Sequence, residues 1–296
     1  MQSGVSQLPT ASSSIHIQDE HVRQLRIGEM LTMLSKMKAD DVERVLGYQK
    51  EHEILFGEAA ISLGIINRDD LSQILAEQFQ FPYIHEKSGD LDASLITAYQ
   101  PESHEAELYR SMRSQLLLRW FDKGHKLLSV VSTNTHDEGS QLIANLSIVF
   151  AQLNKRTLLI DANLRQRNQY RLFNLDYAPG LSNILANRQG KYEFYKPHAL
   201  KNLSILPAGT EVPNPQELLI QHAFTSLLKE LEQLYDVILI DTAPMSLGLD
   251  MQTVVAKTKG VLIAVRRNVT QAALLKELQQ QLSVADAMVL GSALTD

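Results

Sequence analysis

Residues 127–153 run LLSVVSTNTHDEGSQLIANLSIVFAQL: an apolar stretch, a polar loop, then a periodic segment. Residues 127–131 read as a short buried strand. From 141 onward, apolar side chains fall at 142, 143, 146, 149, 150 and 153, which is helical spacing. A strand feeding a helix through a short loop is the setting of the phosphate-binding motif G-x-x-x-x-G-K-[ST]. In it, backbone N–H groups cradle phosphates and the lysine meets the outer ones. The loop here is Thr133-Asn-Thr-His-Asp-Glu-Gly139-Ser140, with the final hydroxyl in place. Gly139 stands either at the lysine position, with Glu138 at the preceding glycine, or at the glycine position with the lysine deleted. Neither alignment leaves a lysine in the loop. Asp137 and Glu138 add repulsion: a carboxylate roughly 4 Å from a phosphate charge costs about 4 kcal/mol at an effective dielectric near ~20.

Outward from this stretch, apolar runs recur at 157–161 (TLLID), 203–206 (LSIL), 236–241 (DVILID), 260–265 (GVLIAV) and 287–291, most of them separated by helical segments. Continuous buried strands alternating with helices predict an α/β fold with a parallel sheet. Asp161 and Asp241 each end a strand. Carboxylates at the C-terminal ends of parallel strands face the ligand crevice, and in nucleoside triphosphatases they hold magnesium directly or through water. The competing role of a strand-end Asp is to cap the next turn. Ser140, Asp161 and Asp241 form the candidate magnesium set. His136 reads as a solvated loop residue, and the nine histidines form no pair with transition-metal spacing.

At 296 residues, the chain has room for about two domains. No apolar run approaches the length of a membrane-spanning helix, and the first 20 residues lack the basic start and apolar core of a secretory leader. The absence of cysteine excludes disulfides and thiolate metal sites and fits a cytoplasmic setting. A net charge of −6 with no basic run excludes a nucleic-acid footprint.

Residues 1–18, rich in Ser, Thr and Gln, are expected to be disordered. Residues 19–88 are expected to form a small helical domain built on an internal repeat. Arg26-Ile-Gly28-Glu…Val42…Leu46…Gln49 matches Leu55-Phe-Gly57-Glu…Leu71…Leu75…Gln78, two 24-residue copies with a five-residue spacer and a period of 29. Residues 89–104 contain Pro, Gly or Ser at several positions and are expected to be a linker to the α/β domain at 105–296.

Two family resemblances sit on these residues. Lys155-Arg-Thr-Leu-Leu-Ile-Asp161-Ala-Asn163-Leu-Arg165 resembles the Walker A′ motif of the bacterial tyrosine kinases (BY-kinases), L-L-I-D-x-D-x-R, and Asp241-Thr-Ala-Pro244 resembles their Walker B. Ala144-Asn-Leu146, Gly180-Leu-Ser182, Leu206-Pro-Ala-Gly209 and Pro213-Asn-Pro-Gln-Glu-Leu218 extend the likeness. Glu107, Arg110 and Arg113 fit the E-x-x-R-x-x-R motif through which that family assembles into rings; in isolation, Glu107 and Arg110 could be an ordinary i,i+3 pair. The likeness covers about 105–296. It implies a P-loop NTPase-like parallel sheet flanked by helices and an ATP/ADP–magnesium site using Gly139, Ser140, Asn163 and Arg165. It also implies partnership with itself, with a homologous kinase, or with the cytoplasmic part of a membrane polysaccharide chain-length regulator. A cytoplasmic location, peripheral at the inner membrane through that partner, follows.

The N-terminal repeat resembles the N-terminal domain of type II secretion and pilus-assembly ATPases. Some of these bind cyclic di-GMP through tandem R-L-G-x-x-L-x-x-x-G-x-I-x-x-x-x-L-x-x-x-L-x-x-Q motifs. Here the matching positions are Arg26, Gly28, Gln49, Gly57, Gly64 and Gln78, while Ser35 and Leu55 replace the second glycine of copy one and the arginine of copy two. The module is therefore either a cyclic di-GMP sensor or a helical docking unit.

The departures from the kinase pattern are the missing lysine, Asn163 at the second acid of Walker A′, and a sequence ending at Leu294-Thr-Asp296 without a tyrosine cluster. Asp161 and Asp241 are then ancestral catalytic carboxylates in a pseudokinase, a scaffold for exopolysaccharide biosynthesis or export. The alternative is an active ATP-dependent tyrosine kinase or ATPase whose missing cation comes from Arg165, or from an arginine of a neighbouring subunit such as Arg110 or Arg113. A MinD-type positioning ATPase fits less well, because it needs a lysine in the loop.

Overall fold

A computed structural model describes residues 27–33, 35–68, 70–71, 74–75, 91–136, 138–176, 179–186, 194–198 and 200–295. The chain divides into two compact units, Met1–Pro82 and Tyr83–Asp296. Arg26, Gln78 and Asp137, and the tail expected to be disordered over 1–18, lie outside the described residues.

In the first unit, helices Ile27–Met33, Ala39–His52 and Phe56–Ser62 follow one another. The period of 29 is visible in burial: Leu31 and Ala60, Met37 and Ile66, and Val45 and Ile74 are equivalent pairs, and all six are in one core. It is also visible in the backbone. Ser35 (φ 56°) and Gly64 (φ 65°) are both left-handed. Their N–H groups donate to Thr32 O at 3.0 Å and Ile61 O at 2.9 Å, so the two copies turn alike. Serine in this region is strained by roughly 1 kcal/mol, so the turn survives the loss of glycine at a cost. Gly28 and Gly57 have a packing role: a Cβ would stand 3.1 Å from the Phe56 ring and 2.6 Å from Leu71 Cδ1.

The second unit is built on six parallel strands: β1 Leu127–Ser132, β2 Thr157–Asp161, β3 Leu203–Leu206, β4 Val237–Asp241, β5 Gly260–Arg266 and β6 Met288–Thr295. Their order is β3-β2-β4-β1-β5-β6, every neighbouring pair parallel. All residues of β1 to β4 are buried, which is why these strands read as unbroken apolar runs rather than alternating ones. One apolar layer places helix Gly139–Gln152 under the sheet, with Leu142, Ile143, Leu146 and Phe150 buried against Leu128, Leu159 and Leu239. The other sets Phe224, Leu228 and Leu231 of helix His222–Leu234 against Leu158, Ile160, Ile238 and Ile240.

From β1 the chain crosses to β2 on one side, and from β4 it crosses to β5 on the other. The crevice between the carboxyl ends of β1 and β4 is therefore the switch point where ligands bind such sheets.

The linker expected over 89–104 is a correction. Leu91, Leu95, Ala98 and Tyr99 enter the core of the second unit, and Ile96–Tyr99 is a short helix. The polar residues of this segment are bound inward: Asn145 Oδ1 accepts from the Thr97 N–H at 3.0 Å and from Thr97 Oγ1 at 2.9 Å, and Asn145 Nδ2 donates to Ser94 O at 3.0 Å. Turn-forming composition signals a loop, but buried hydrogen bonding makes this one part of the domain.

Candidate functional site

β1 ends at Ser132, and the loop regains helical geometry at Gly139. Between them Glu138 holds a left-handed backbone (φ 55°, ψ 29°), and its carbonyl accepts the Leu142 N–H at 2.9 Å. Gly139 is not forced by crowding: a Cβ there would meet Ser132 Oγ at 3.5 Å, ordinary contact. The Glu138 carboxylate turns to Arg266 at the end of β5, whose Nη1 lies 3.1 Å away and also donates to His136 O at 3.3 Å. The repulsive charge expected of Glu138 is thus answered by a cation.

Asp161 and Asp241 are register partners on β2 and β4, 0% and 1% exposed. Asp161 Oδ1 accepts the Asn163 N–H at 3.1 Å and Oδ2 the Gln169 N–H at 3.3 Å. Asp241 Oδ2 accepts Gln169 Nε2 at 2.7 Å, and the Ser140 hydroxyl also bonds this carboxyl. Burial pushes Asp161 well above the ordinary carboxylate range, and the neighbouring Asp241 charge raises it further. Burial also lifts Asp241, to about 6, against the hydrogen bonds from Gln169, Ser140 and Thr242 that favour its charged form.

Glu138, Gly139, Ser140, Gln141, Asn163 and Asn168 border one cavity of about 190 Å³. Asn163 is 1% exposed, and its Oδ1 accepts the Gln166 N–H at 3.2 Å within its own turn.

Arg165 does not reach the loop. Its guanidinium grips Asp250 through Nε at 2.6 Å and Nη2 at 3.0 Å, a partly buried bidentate pair. Arg110 bonds Glu107 at 2.7 Å and Pro101 O at 2.6 Å, and Arg113 Nη1 donates to Val149 O at 2.7 Å. Arg165, the substitute for the lysine expected from the same chain, is engaged by Asp250. In the first unit, Gln49 borders an open groove of about 570 Å³ with Leu46, Lys50, Glu53 and Ile54.

The sequence reading missed Arg266, Asn168 and Gln169. Arg266 had a signal: it is a polar residue at the C-terminal end of a buried strand, the same position that marked Asp161 and Asp241. Asn168 and Gln169 carried none, because a polar run after a strand is ordinary loop sequence.

Two hydrogen-bonding carboxyls and a hydroxyl on the strand ends are a hard-oxygen set that fits a magnesium ion. Ser140, Asp161 and Asp241 would hold it, and it would neutralise phosphate charge there. The phosphate half fits less well, since the loop has no lysine and Glu138 faces the cavity. No group of three or more His, Cys, Asp or Glu suited to a metal occurs among the described residues, and no described helix is long and apolar enough to cross a membrane.

Comparisons with known proteins agree with this geometry. Residues 140–288 match the family model described as an AAA domain. Over 195 residues the chain is 30% identical to a Staphylococcus aureus protein named "Putative tyrosine-protein kinase CapB", covering 66% of this chain and 86% of that one. The solved chimerical protein CapA2B2 superposes with a TM-score of 0.65 at 26% identity, over 75% of this chain and 97% of that one. The septum site-determining protein MinD of Pyrococcus horikoshii, complexed with Mg-ADP, shares the fold alone, with a TM-score of 0.50 at 22% identity over 57% of this chain and 70% of that one. The fold is α/β and P-loop NTPase-like.

Proposed function

We propose that this chain, which belongs to the family of bacterial tyrosine-protein kinases, is a pseudokinase: it keeps the family fold and serves exopolysaccharide biosynthesis or export as a regulatory scaffold. The observation that carries this reading is the phosphate loop. It has no lysine, and Glu138 borders the cavity with its carboxylate paired to Arg266 at 3.1 Å, while Arg171, the cation that also borders the cavity, is paired with Asp92. Phosphoryl transfer depends on positioning and on neutralising phosphate charge, and both are weakened here. Asn163 in place of an acid removes a further charge from the metal side.

The deciding experiment is calorimetric titration of the purified chain with ATP–magnesium, together with an anti-phosphotyrosine assay. Weak or absent binding and no tyrosine phosphorylation are expected. Low-micromolar ATP affinity, or a phosphotyrosine signal that disappears in Asp241→Ala, overturns the proposal.

A second reading keeps an active kinase or ATPase. The observation in its favour is Arg266 itself: a guanidinium at the loop could meet phosphate if Glu138 released it. The same two measurements separate the readings.

The tandem-repeat unit is proposed as the regulatory input, with cyclic di-GMP as the ligand its resemblance suggests and Gln49, Gly28, Gly57 and Gly64 as its described contacts. The packing of Gly28 and Gly57 supports the docking-module alternative equally well. The proposed partners are the cytoplasmic part of a membrane polysaccharide chain-length regulator, and a second copy or an active homologue meeting Glu107, Arg110 and Arg113. This places the chain in the cytoplasm, held peripherally at the inner membrane.

A further inference from the structure

Two adjacent amides reach the same oxygens that a divalent cation would need. Gln169 is fully buried. Its Nε2 donates to Asp241 Oδ2 at 2.7 Å and to the Ser140 carbonyl at 3.1 Å, while its backbone N–H donates to Asp161 Oδ2 at 3.3 Å. Asn168 Nδ2 donates to Ser140 Oγ at 3.2 Å. At the other end of the same side chain, Gln169 Oε1 is buried and accepts no hydrogen bond among the described residues.

An unpaired buried acceptor is costly, so the amide is held in place by its donor end. That end points at the buried carboxyls. A glutamine N–H is a neutral stand-in for a cation: it supplies partial positive charge to a carboxylate without bringing a full one.

We infer that Gln169 is a built-in occupant of the cation position, and that its amide sets how weakly Ser140, Asp161 and Asp241 take a divalent ion. Magnesium binds oxygen at about 2.0–2.1 Å and demands near-octahedral access, so it competes directly with an N–H aimed at the same lone pairs. For the ion to take the lone pair of Asp241 Oδ2 that Gln169 Nε2 faces, the amide has to turn away. Asn168 does the same, more weakly, at the Ser140 hydroxyl. Gln169 is thus a positioning residue for the carboxyl pair and a determinant of metal affinity. The inference rests on the reading of Ser140, Asp161 and Asp241 as the metal-holding set, and is independent of whether the chain transfers phosphate.

The test uses the full chain and Mn²⁺ as a spectroscopic probe of the magnesium position. Binding is followed by the electron paramagnetic resonance of free Mn²⁺, with and without ADP. Gln169→Ala and Gln169→Leu are expected to tighten Mn²⁺ binding about tenfold or more. Adding Asp241→Asn to either should abolish the gain. The leucine variant keeps the volume of the side chain and serves if the alanine variant fails to fold by circular dichroism. Mn²⁺ should also raise the melting temperature of the variants more than that of the parent.

Unchanged or weaker Mn²⁺ binding in the folded variants overturns the inference, since Gln169 would then be indifferent to the ion or would help to bind it. So does a site that takes no Mn²⁺ in either parent or variant. ATP turnover by the parent would instead defeat the pseudokinase reading, and it leaves the comparison of Mn²⁺ affinities intact.

Discussion

Glu138 and Arg266 meet at 3.1 Å across the phosphate loop, one from a left-handed residue at the start of a helix and the other from the end of β5. They are 128 positions apart in sequence, and their pairing turns an apparently repulsive loop into a self-neutralised one. Each side chain is about a third exposed (33% and 32%), so the pair adds at most about 1 kcal/mol to stability. Its importance lies in which charge faces the cavity.

Replacing Glu138→Gly together with Gly139→Lys should therefore raise ATP–magnesium affinity at least about tenfold, by freeing Arg266, removing an acid and adding an ammonium. The glycine also relieves the left-handed strain at 138, and the open contact at 139 leaves room for a lysine Cβ. Calorimetry measures the change. An affinity equal to that of the parent would show that the loop charges do not control binding.

The pH dependence follows from Asp161 and Asp241. Both carboxyls titrate above the ordinary range, so the native state holds protons that the unfolded chain has already released. Their contribution to stability is complete below the unfolded value near 3.8 and is lost as pH rises, through about 6 for Asp241, with the raised Asp161 carboxyl adding a loss of the same sign. Urea midpoints between pH 4 and 8 should fall with this slope. Asp241→Asn, which removes one ionisation, should flatten it.

Asn145 joins segment 91–100 to helix Gly139–Gln152, accepting twice from Thr97 and donating to Ser94 O and Gln141 O. Asn145→Ala strands the Thr97 N–H in a buried position. A loss of about 2–4 kcal/mol is expected, since each orphaned buried group costs about 1–3 kcal/mol. Denaturant unfolding reads the loss, and hydrogen exchange should show protection falling first in 91–100.

Arg110→Ala with Arg113→Ala should shift an assembled chain toward monomer in light scattering. Because Arg113 also donates to Val149 O at 2.7 Å, the melting temperature must be recorded alongside. A large drop in melting without a change in mass would assign Arg113 to the interior of its own chain rather than to a neighbour.

In the repeat unit, Ser35→Gly relaxes a left-handed serine and should stabilise the unit by roughly 1 kcal/mol whatever it binds. Combined with Leu55→Arg, it should also strengthen cyclic di-GMP binding, and Arg26→Ala should abolish it. If titration of the full chain with the dinucleotide finds no binding in either the native or the restored form, the unit is a docking module.

The periodicity of 127–153 and the apolar runs around it were enough to determine the α/β architecture, because a strand buried on both faces has to be apolar along its whole length. The strand-end positions of Asp161 and Asp241 likewise follow from where those runs stop. The repeat at 26–78 is legible in the sequence, but which of its positions are buried is not: Val45 and Ile74 share the core, while Leu46, matched to Leu75 in the repeat, is exposed.

Side-chain partners across long separations were beyond its reach. Nothing local ties Arg165 to Asp250, Arg266 to Glu138, or Gln169 to Asp241, and nothing local draws residues 91–100 into the core. Those pairings depend on which strand ends the sheet order brings side by side, and on which buried donor must find an acceptor once water is excluded. Only the assembled structure decides that.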